Sequence, residues 1–195
     1  ASRNSLLKYG ADSLKGNISE LNFEVNGQIA DWSLTEENQD IAIIRLSSPL
    51  KPGESLKITT PFSVKIPSGR ISRLGHIGQS YQITQWYPKP AVYDKNGWNA
   101  MPYLNQGEFY SEFGSFDVSI TLPENYVVGA TGDLQTENEI NFLNELAEST
   151  KEKVDQLETI DLNNNFPASS ANTKTIRYTQ DLSLIHISEP TRPSQ

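Results

Sequence analysis

The sequence contains no cysteine and only two histidines among its 195 residues, and this shortage limits the metal chemistry open to it. Without thiolates, the cysteine-based zinc and iron–sulfur sites are excluded. His76 and His186 are too far apart in sequence to share one turn of a helix, and neither begins an HExxH motif, the pattern of zinc peptidases. The sequence therefore predicts no metal site and no cofactor in this chain.

A long apolar run and an excess of positive charge are also missing. No window reaches the roughly 20 apolar residues of a membrane-spanning helix. Ala1 does not open a charged and then apolar leader, although a leader could precede it. These features predict a soluble chain without a membrane-spanning segment, and they leave its compartment unknown. The formal net charge of −8 argues against nucleic acid as a partner, because phosphates require a basic surface.

Short apolar runs separated by turn residues predict β structure. Asn26 and Gly27 form the dipeptide that most favours a type I′ hairpin turn. Apolar and polar residues alternate over 116–122, and a turn at 123–125 with a return strand over 126–131 predicts a second hairpin. The segment 66–79 is rich in glycine and serine and predicts a long surface loop.

One segment differs from this β pattern. Apolar residues recur at helical spacing over 139–160 with charged residues between them, which predicts an amphipathic helix. We interpret this helix as part of an insertion at 137–162 between two strands. The predicted fold class is all-β, a β-sandwich or saddle-like sheet domain with one inserted helix.

Aromatic residues are concentrated in one part of the chain. Ten of the eighteen Phe, Tyr and Trp residues lie between Tyr81 and Phe116, interleaved with proline and glycine. Such composition is typical of a packed, irregular surface between strands.

Six ordered strings lie in and just after this aromatic stretch. They are QWYPKPAVYD at 85–94, GW at 97–98, PYL at 102–104, GEFYSEFG at 107–114, FDVSITLP at 116–123 and NYVVGATG at 125–132. Together they closely resemble the N-terminal β domain of the gluzincin zinc aminopeptidases, the membrane-alanyl-aminopeptidase family, in its bacterial branch. A weaker resemblance extends back through LNFEVNG at 21–27 and PLKPGESLKITTPF at 49–62.

The resemblance implies that the parent protein is a zinc metallo-aminopeptidase, which hydrolyses N-terminal peptide bonds with zinc-activated water. This chain would be its non-catalytic N-terminal domain, inactive alone because it lacks HExxH. Its partner would be the catalytic domain of the same polypeptide, which carries the zinc and receives the peptide substrate. A periplasmic or cell-surface parent is compatible with this assignment.

Three neighbouring residues are candidates for contact with that substrate. The resemblance implies that Gln85, in TQWYP, helps to hold the free amino terminus of the peptide, because an amide oxygen accepts hydrogen bonds from an ammonium group. Trp86 and Tyr87 could form a wall of the same pocket. The alternative is structural, with Gln85 bonded to the backbone and both rings packed in the core.

The end of the chain reads LSLIHISEPTR at 182–192, which resembles the translation of a sequencing-library adapter. We therefore interpret residues 182–195 as an artefactual tail and residues 1–181 as a β domain incomplete at both ends. On this interpretation His186 has no functional role. The alternative is a genuine apolar strand over 182–187 that ends before Pro190.

A carbohydrate-binding or architectural β module is the alternative function. Aromatic residues such as Trp98 are common in sugar sites, and the acids Glu108, Glu112 and Asp117 lie near them in sequence. Paired carboxylates also occur in glycosidases. Glu108 and Glu112, however, belong to the string GEFYSEFG, whose resemblance to the aminopeptidase domain implies no catalytic role for them.

Overall fold

The structure is a computed structural model that describes residues 9–102, 110–156, 166–183 and 187–189. Within these ranges the chain forms sixteen strands, most of them short, a 3-10 turn at Asp12–Leu14 and a helix of 20 residues, α1, at Glu137–Gln156. The strands pair into six small antiparallel sheets. The predicted all-β class with one inserted helix is thus confirmed.

The strands are numbered in chain order. They are β1 (Asn17–Ser19), β2 (Glu24–Val25), β3 (Gln28–Ile29), β4 (Asp31–Leu34), β5 (Ala42–Arg45), β6 (Ile58–Thr59), β7 (Ser63–Lys65), β8 (Gly75–Ile77), β9 (Ser80–Thr84), β10 (Val92–Asp94), β11 (Gly97–Asn99), β12 (Gly114–Pro123), β13 (Gly129–Ala130), β14 (Asp133–Leu134), β15 (Thr173–Ser183) and β16 (Ile187–Glu189).

The chain divides into two compact units. The first, here called the helical unit, consists of Ala1–Leu14, Ile66–Trp86 and Phe113–Gln195 and contains α1. The second, here called the hairpin unit, consists of Lys15–Lys65 and Tyr87–Glu112. Each strand pairs only with strands of its own unit in the described part of the chain.

The hairpin unit contains the predicted type I′ turn. Strands β2 and β3 pair around Asn26 and Gly27, whose φ angles are 51° and 80°. Positive φ at both central residues defines this turn type, so the prediction is confirmed. The Asn26 Oδ1 also accepts a hydrogen bond from the Lys57 N–H at 2.9 Å, which attaches the turn to the residue just before β6. Close by in sequence, Phe23 is buried and meets Trp32 edge to face at 5.2 Å.

The helical unit is built on the long pair β12 and β15. Their register places Ile120 opposite Ile176 and Val118 opposite Tyr178, so apolar residues share one face. The predicted second hairpin is wrong, because β12 pairs with β15, whereas the return segment supplies β13 to another sheet. Local alternation shows that β12 is a strand but carries no information about its partner, which lies about 55 residues further along the chain.

Three buried residues form the core of the helical unit. Val128, Ile176 and Tyr178 are 3%, 1% and 6% exposed, and half-buried apolar side chains pack around them. The Tyr178 hydroxyl donates a hydrogen bond to the Val128 carbonyl at 2.9 Å. This bond satisfies the polar end of a buried ring, as tyrosine in a core requires.

Replacing Tyr178 by Phe is expected to lower the free energy of unfolding by about 1–2 kcal/mol, because it removes the donor to the Val128 carbonyl. The difference should shrink at high pH. Burial, and then the charge of Glu139, raise the pKa of the Tyr178 phenol above 10.0. As pH rises past the unfolded value of about 10, the unfolded wild-type chain ionises first and stability falls, a loss that Tyr178→Phe does not share. Urea titrations of the wild-type and Tyr178→Phe proteins at pH 7 and pH 10.5 measure the difference in their free energies of unfolding at each pH. The same difference at both pH values would contradict the raised pKa of Tyr178.

The helix α1 begins directly after Thr136 and is attached to β15 by two contacts. The Thr136 carbonyl accepts the first helical hydrogen bond, from Ile140, whereas its hydroxyl accepts the N–H of Arg177 at 2.9 Å. Glu139, 4% exposed, pairs with Lys174 at 2.7 Å. The Thr-x-x-Glu pattern of a capping box is therefore used for tertiary contacts.

The helix begins before its predicted start, and its predicted end at 160 lies outside the described residues. The helix starts two residues earlier than the predicted 139 and its described part ends at Gln156, while residues 157–165 lie outside the described residues. Among the described helices, none has the length and apolar character needed to cross a membrane.

Two segments predicted as loop or tail contribute strands. Part of the predicted loop 66–79 forms β8, which pairs with β9, because Gly78 and Gln79 close a hairpin that composition alone does not reveal. The residues 187–189 form β16, which lies between β9 and β13. The artefactual origin of residues 182–195 stays a prediction, since any chain with β character can supply backbone hydrogen bonds to an open strand edge.

Candidate functional site

Gln85 directly follows β9 and has a φ of 52°. A non-glycine residue in this left-handed region costs about 1–2 kcal/mol, so few residues adopt it. Such strain tends to concentrate at functional positions. Gln85 is also half-buried. The one candidate with a family-derived role is therefore also a residue with an unusual backbone.

Trp86 and Tyr87 are both half-buried, and the division between the two units falls between them. Gln85 and Trp86 belong to the helical unit, and Tyr87 belongs to the hairpin unit. Burial raises the pKa of the Tyr87 phenol above its usual value, so the hydroxyl is neutral at physiological pH. The three predicted substrate contacts are thus consecutive in sequence but not members of one compact unit.

The rest of the string QWYPKPAVYD leads into a hairpin that the sequence analysis missed. Strands β10 and β11 pair with Asp94 opposite Gly97, and Gly97 has a φ of 102°, typical of the glycine in a bulged hairpin turn. The Asp94 Oδ1 accepts the N–H of Asn96 at 2.8 Å, which fixes the turn. The dipeptide Asn96-Gly97 is the local signal for this hairpin, whereas the aromatic residues around it are also typical of an irregular, packed segment.

This hairpin presents two exposed aromatic rings. Tyr93 and Trp98 are 68% and 67% exposed, lie opposite each other in the register and meet edge to face with centroids 5.0 Å apart and planes at 64°. Rings at this angle do not form one flat platform for a sugar ring. Their edge-to-face geometry is that of a stable cross-strand aromatic pair.

Of the three acids near the aromatic stretch, the two that the structure describes do not have the features of a catalytic carboxylate pair. Glu108 lies outside the described residues, and Glu112 is exposed. Asp117 accepts two hydrogen bonds from the Arg177 guanidinium, each at 2.7 Å. These bonds lower the pKa of the Asp117 carboxyl, which is the state of a cross-strand ion pair and not of a general acid.

No group of three or more acidic or histidine side chains that could hold a metal ion occurs in the ranges that the structure describes. His76 stacks on Tyr81 with centroids 5.5 Å apart, and its Nδ1–H donates to the Gly78 carbonyl at 3.3 Å. His186 lies outside the described residues.

Comparison with known proteins adds no relative to this description. A scan against protein-family models, a search of curated proteins and a search of solved structures each found no match for this chain.

Proposed function

We propose that this chain is the N-terminal β domain of a zinc-dependent metallo-aminopeptidase and carries no catalytic centre of its own. The observation that supports the proposal is the ordered set of six strings between Gln85 and Gly132, from QWYPKPAVYD to NYVVGATG. Their order and length are specific, and the all-β fold agrees with such a domain. The catalytic domain that would follow supplies the zinc, which activates the attacking water.

Within this proposal Gln85 positions the substrate. Its amide oxygen accepts a hydrogen bond from the ammonium group of the peptide, and because it bears no full charge it orients the amino terminus more than it attracts it. The φ of 52° supports this role, since a strained residue persists where function requires its placement. Trp86, the next residue of the same compact unit, would contribute to the apolar wall that surrounds such a polar group in a ligand site.

The source DNA tests the assignment. We expect the reading frame beyond the codon of Asp181 to continue without LSLIHISEPTR and to reach an HExxH motif followed by a distal glutamate. Protein expressed from that frame should cleave aminoacyl p-nitroanilides and lose this activity to a zinc chelator. A genuine stop codon after Gln195, with the tail intact, would overturn the proposal and make a binding or architectural module the leading function.

The role of Gln85 is tested in the same full-length protein. Gln85→Asn retains an amide, tolerates a positive φ and withdraws the amide oxygen by one methylene. We expect kcat/KM for aminoacyl p-nitroanilides to fall roughly 10-fold to 100-fold, the range of one hydrogen bond to a charged group. The matched control is Gln28→Asn, at an exposed position of β3, which should leave kcat/KM unchanged. Equal activities of the two variants would remove Gln85 from the site.

A further inference from the structure

A long stretch of this acidic chain contains no acidic residue. Between Glu54 and Asp94 the sequence has five Lys and Arg residues and no Asp or Glu, although the whole chain has a formal charge of −8. Two of these five residues, Arg70 and Arg73, lie with His76 in the segment that connects β7 to β9. This segment is therefore positively charged within a negatively charged chain. A local positive charge attracts anions.

The fold gathers this basic segment around one cleft. The cleft has a volume of about 380 Å³, and its walls carry hydrogen-bond donors from the side chains of Arg70, Ser72, Arg73, His76, Ser80 and Gln82. No carboxylate is among the described residues that line it. All of these residues belong to the helical unit, so the cleft is formed within one compact body.

The backbone that supports the cleft is closely packed. The Gly69 N–H donates to the His76 carbonyl at 3.0 Å, and the His76 N–H donates to the Pro67 carbonyl at 3.1 Å. A Cβ at Gly75 would lie only 2.7 Å from the Gly69 Cα, so the two segments approach more closely than side chains allow. Ile71, 2% exposed, anchors the loop in the interior. The basic side chains therefore belong to a closely packed loop with defined backbone hydrogen bonds.

Two of the basic groups have features suited to a ligand. The Arg70 guanidinium makes no hydrogen bond or ion pair within the described part of the chain, and its own N–H holds the loop by donating to the Ser68 Oγ at 3.3 Å. His76 is held in place by stacking on Tyr81 and by donation from Nδ1 to Gly78, which leaves Nε2 for another partner. Arginine presents its donors in a fork that matches phosphate oxygens.

We propose that this cleft binds a small phosphate monoester through its phosphoryl group. Guanidinium, hydroxyl and imidazole groups all occur among the residues that line the cleft, and their donors are of the kinds that bind the oxygens of a phosphoryl group. The volume lies within the range of small-molecule sites and exceeds what inorganic phosphate alone would fill, so it leaves room for the organic part of the ester. This site is independent of the proposed peptidase role.

The test is calorimetric titration of the 195-residue chain with glycerol 3-phosphate, inorganic phosphate and glycerol at fixed ionic strength. We expect saturable binding of glycerol 3-phosphate and none of glycerol. Arg70→Gln and Arg73→Gln should each weaken binding about tenfold or more, because each removes charge-assisted hydrogen bonds. Lys57→Gln removes the same charge from the acid-free stretch at a residue that does not line the cleft, and it should leave the affinity unchanged. Circular dichroism confirms that each variant is folded.

Each outcome decides the proposal. Equal affinity for inorganic phosphate and the ester would overturn the monoester and reduce the site to one for the phosphoryl group alone. Tighter binding of the ester supports the monoester. Absence of binding, or an equal loss of affinity in the Arg70→Gln and Lys57→Gln variants, would overturn it.

Discussion

Replacing Lys174 by Met is expected to lower the free energy of unfolding by about 3–5 kcal/mol, the usual cost of breaking a buried ion pair from one side. The Lys174 Nζ lies 2.7 Å from Glu139 Oε1, and the two side chains are only 19% and 5% exposed. It also lies 4.4 Å from the centre of the Phe142 ring, a cation–π contact. Methionine fills a similar volume but leaves the Glu139 carboxylate buried without its partner. Urea unfolding followed by circular dichroism measures the change.

Two control variants distinguish the cost of leaving the Glu139 carboxylate unpaired from the cost of removing a lysine charge. Lys151→Met, at an exposed position of α1, the helix that contains Glu139, should change stability by less than about 0.5 kcal/mol. Combining Lys174→Met with Glu139→Leu removes both charges and should restore most of the lost stability, because a well-packed apolar pair is often as stable as a buried ion pair. A double variant as unstable as Lys174→Met alone would show that packing, and not the unpaired carboxylate, accounts for the loss.

Gly132→Ala is expected to destabilise the protein by more than about 4 kcal/mol, which places it among the exceptional single substitutions. Gly132 has a φ of 103°, which L side chains rarely adopt, and an added Cβ would lie 2.5 Å from the Thr179 carbonyl oxygen. That oxygen belongs to β15, whose Thr179 is paired with Asp133 of β14. Relief of the clash therefore requires β14 to separate from β15. The measurement is the thermal midpoint together with the urea midpoint.

Gly114→Ala is the matched control in the same unit. Its added Cβ would meet only the Phe116 ring, at 3.7 Å and 3.8 Å, which is ordinary contact. The alanine should change stability by no more than about 1 kcal/mol, in either direction, through its effect on the unfolded chain. Similar midpoints for Gly132→Ala and Gly114→Ala would contradict the close approach of Gly132 to β15.

The candidate substrate residues show how far sequence reasoning reached. The place of Gln85 in TQWYP makes it a candidate, but its strained φ of 52° is not predictable from that string. Strain of this kind depends on what the surrounding structure imposes on the backbone, so no local pattern reports it. The cleft lined by Arg70 and Arg73 is not predictable in the same way, because the glycine-rich composition of its segment indicates only a surface loop.

Strand pairing also shows that local sequence predicts local features but not contacts between distant segments. The type I′ turn at Asn26-Gly27 was predictable because both positive φ angles are properties of those two residues. The return segment after β12 was assigned the wrong partner, because β15 competes for the same edge from a distant part of the chain. A ten-residue strand gains more from a long partner than from a short neighbouring segment, and sequence proximity does not reveal that competitor.

The sequence by itself determined the β character, the inserted helix, the tight turn and the absence of HExxH, since each depends on residue type and short-range spacing. Only the tertiary structure decided that Thr136 and Glu139 bind residues of β15 instead of forming a capping box. It also decided that the Tyr178 hydroxyl binds the Val128 carbonyl in the core, and that the basic residues of one loop line the same cleft. These features depend on which distant segments meet. The free energy of such contacts comes from burial and pairing across the fold, which local propensity does not contain.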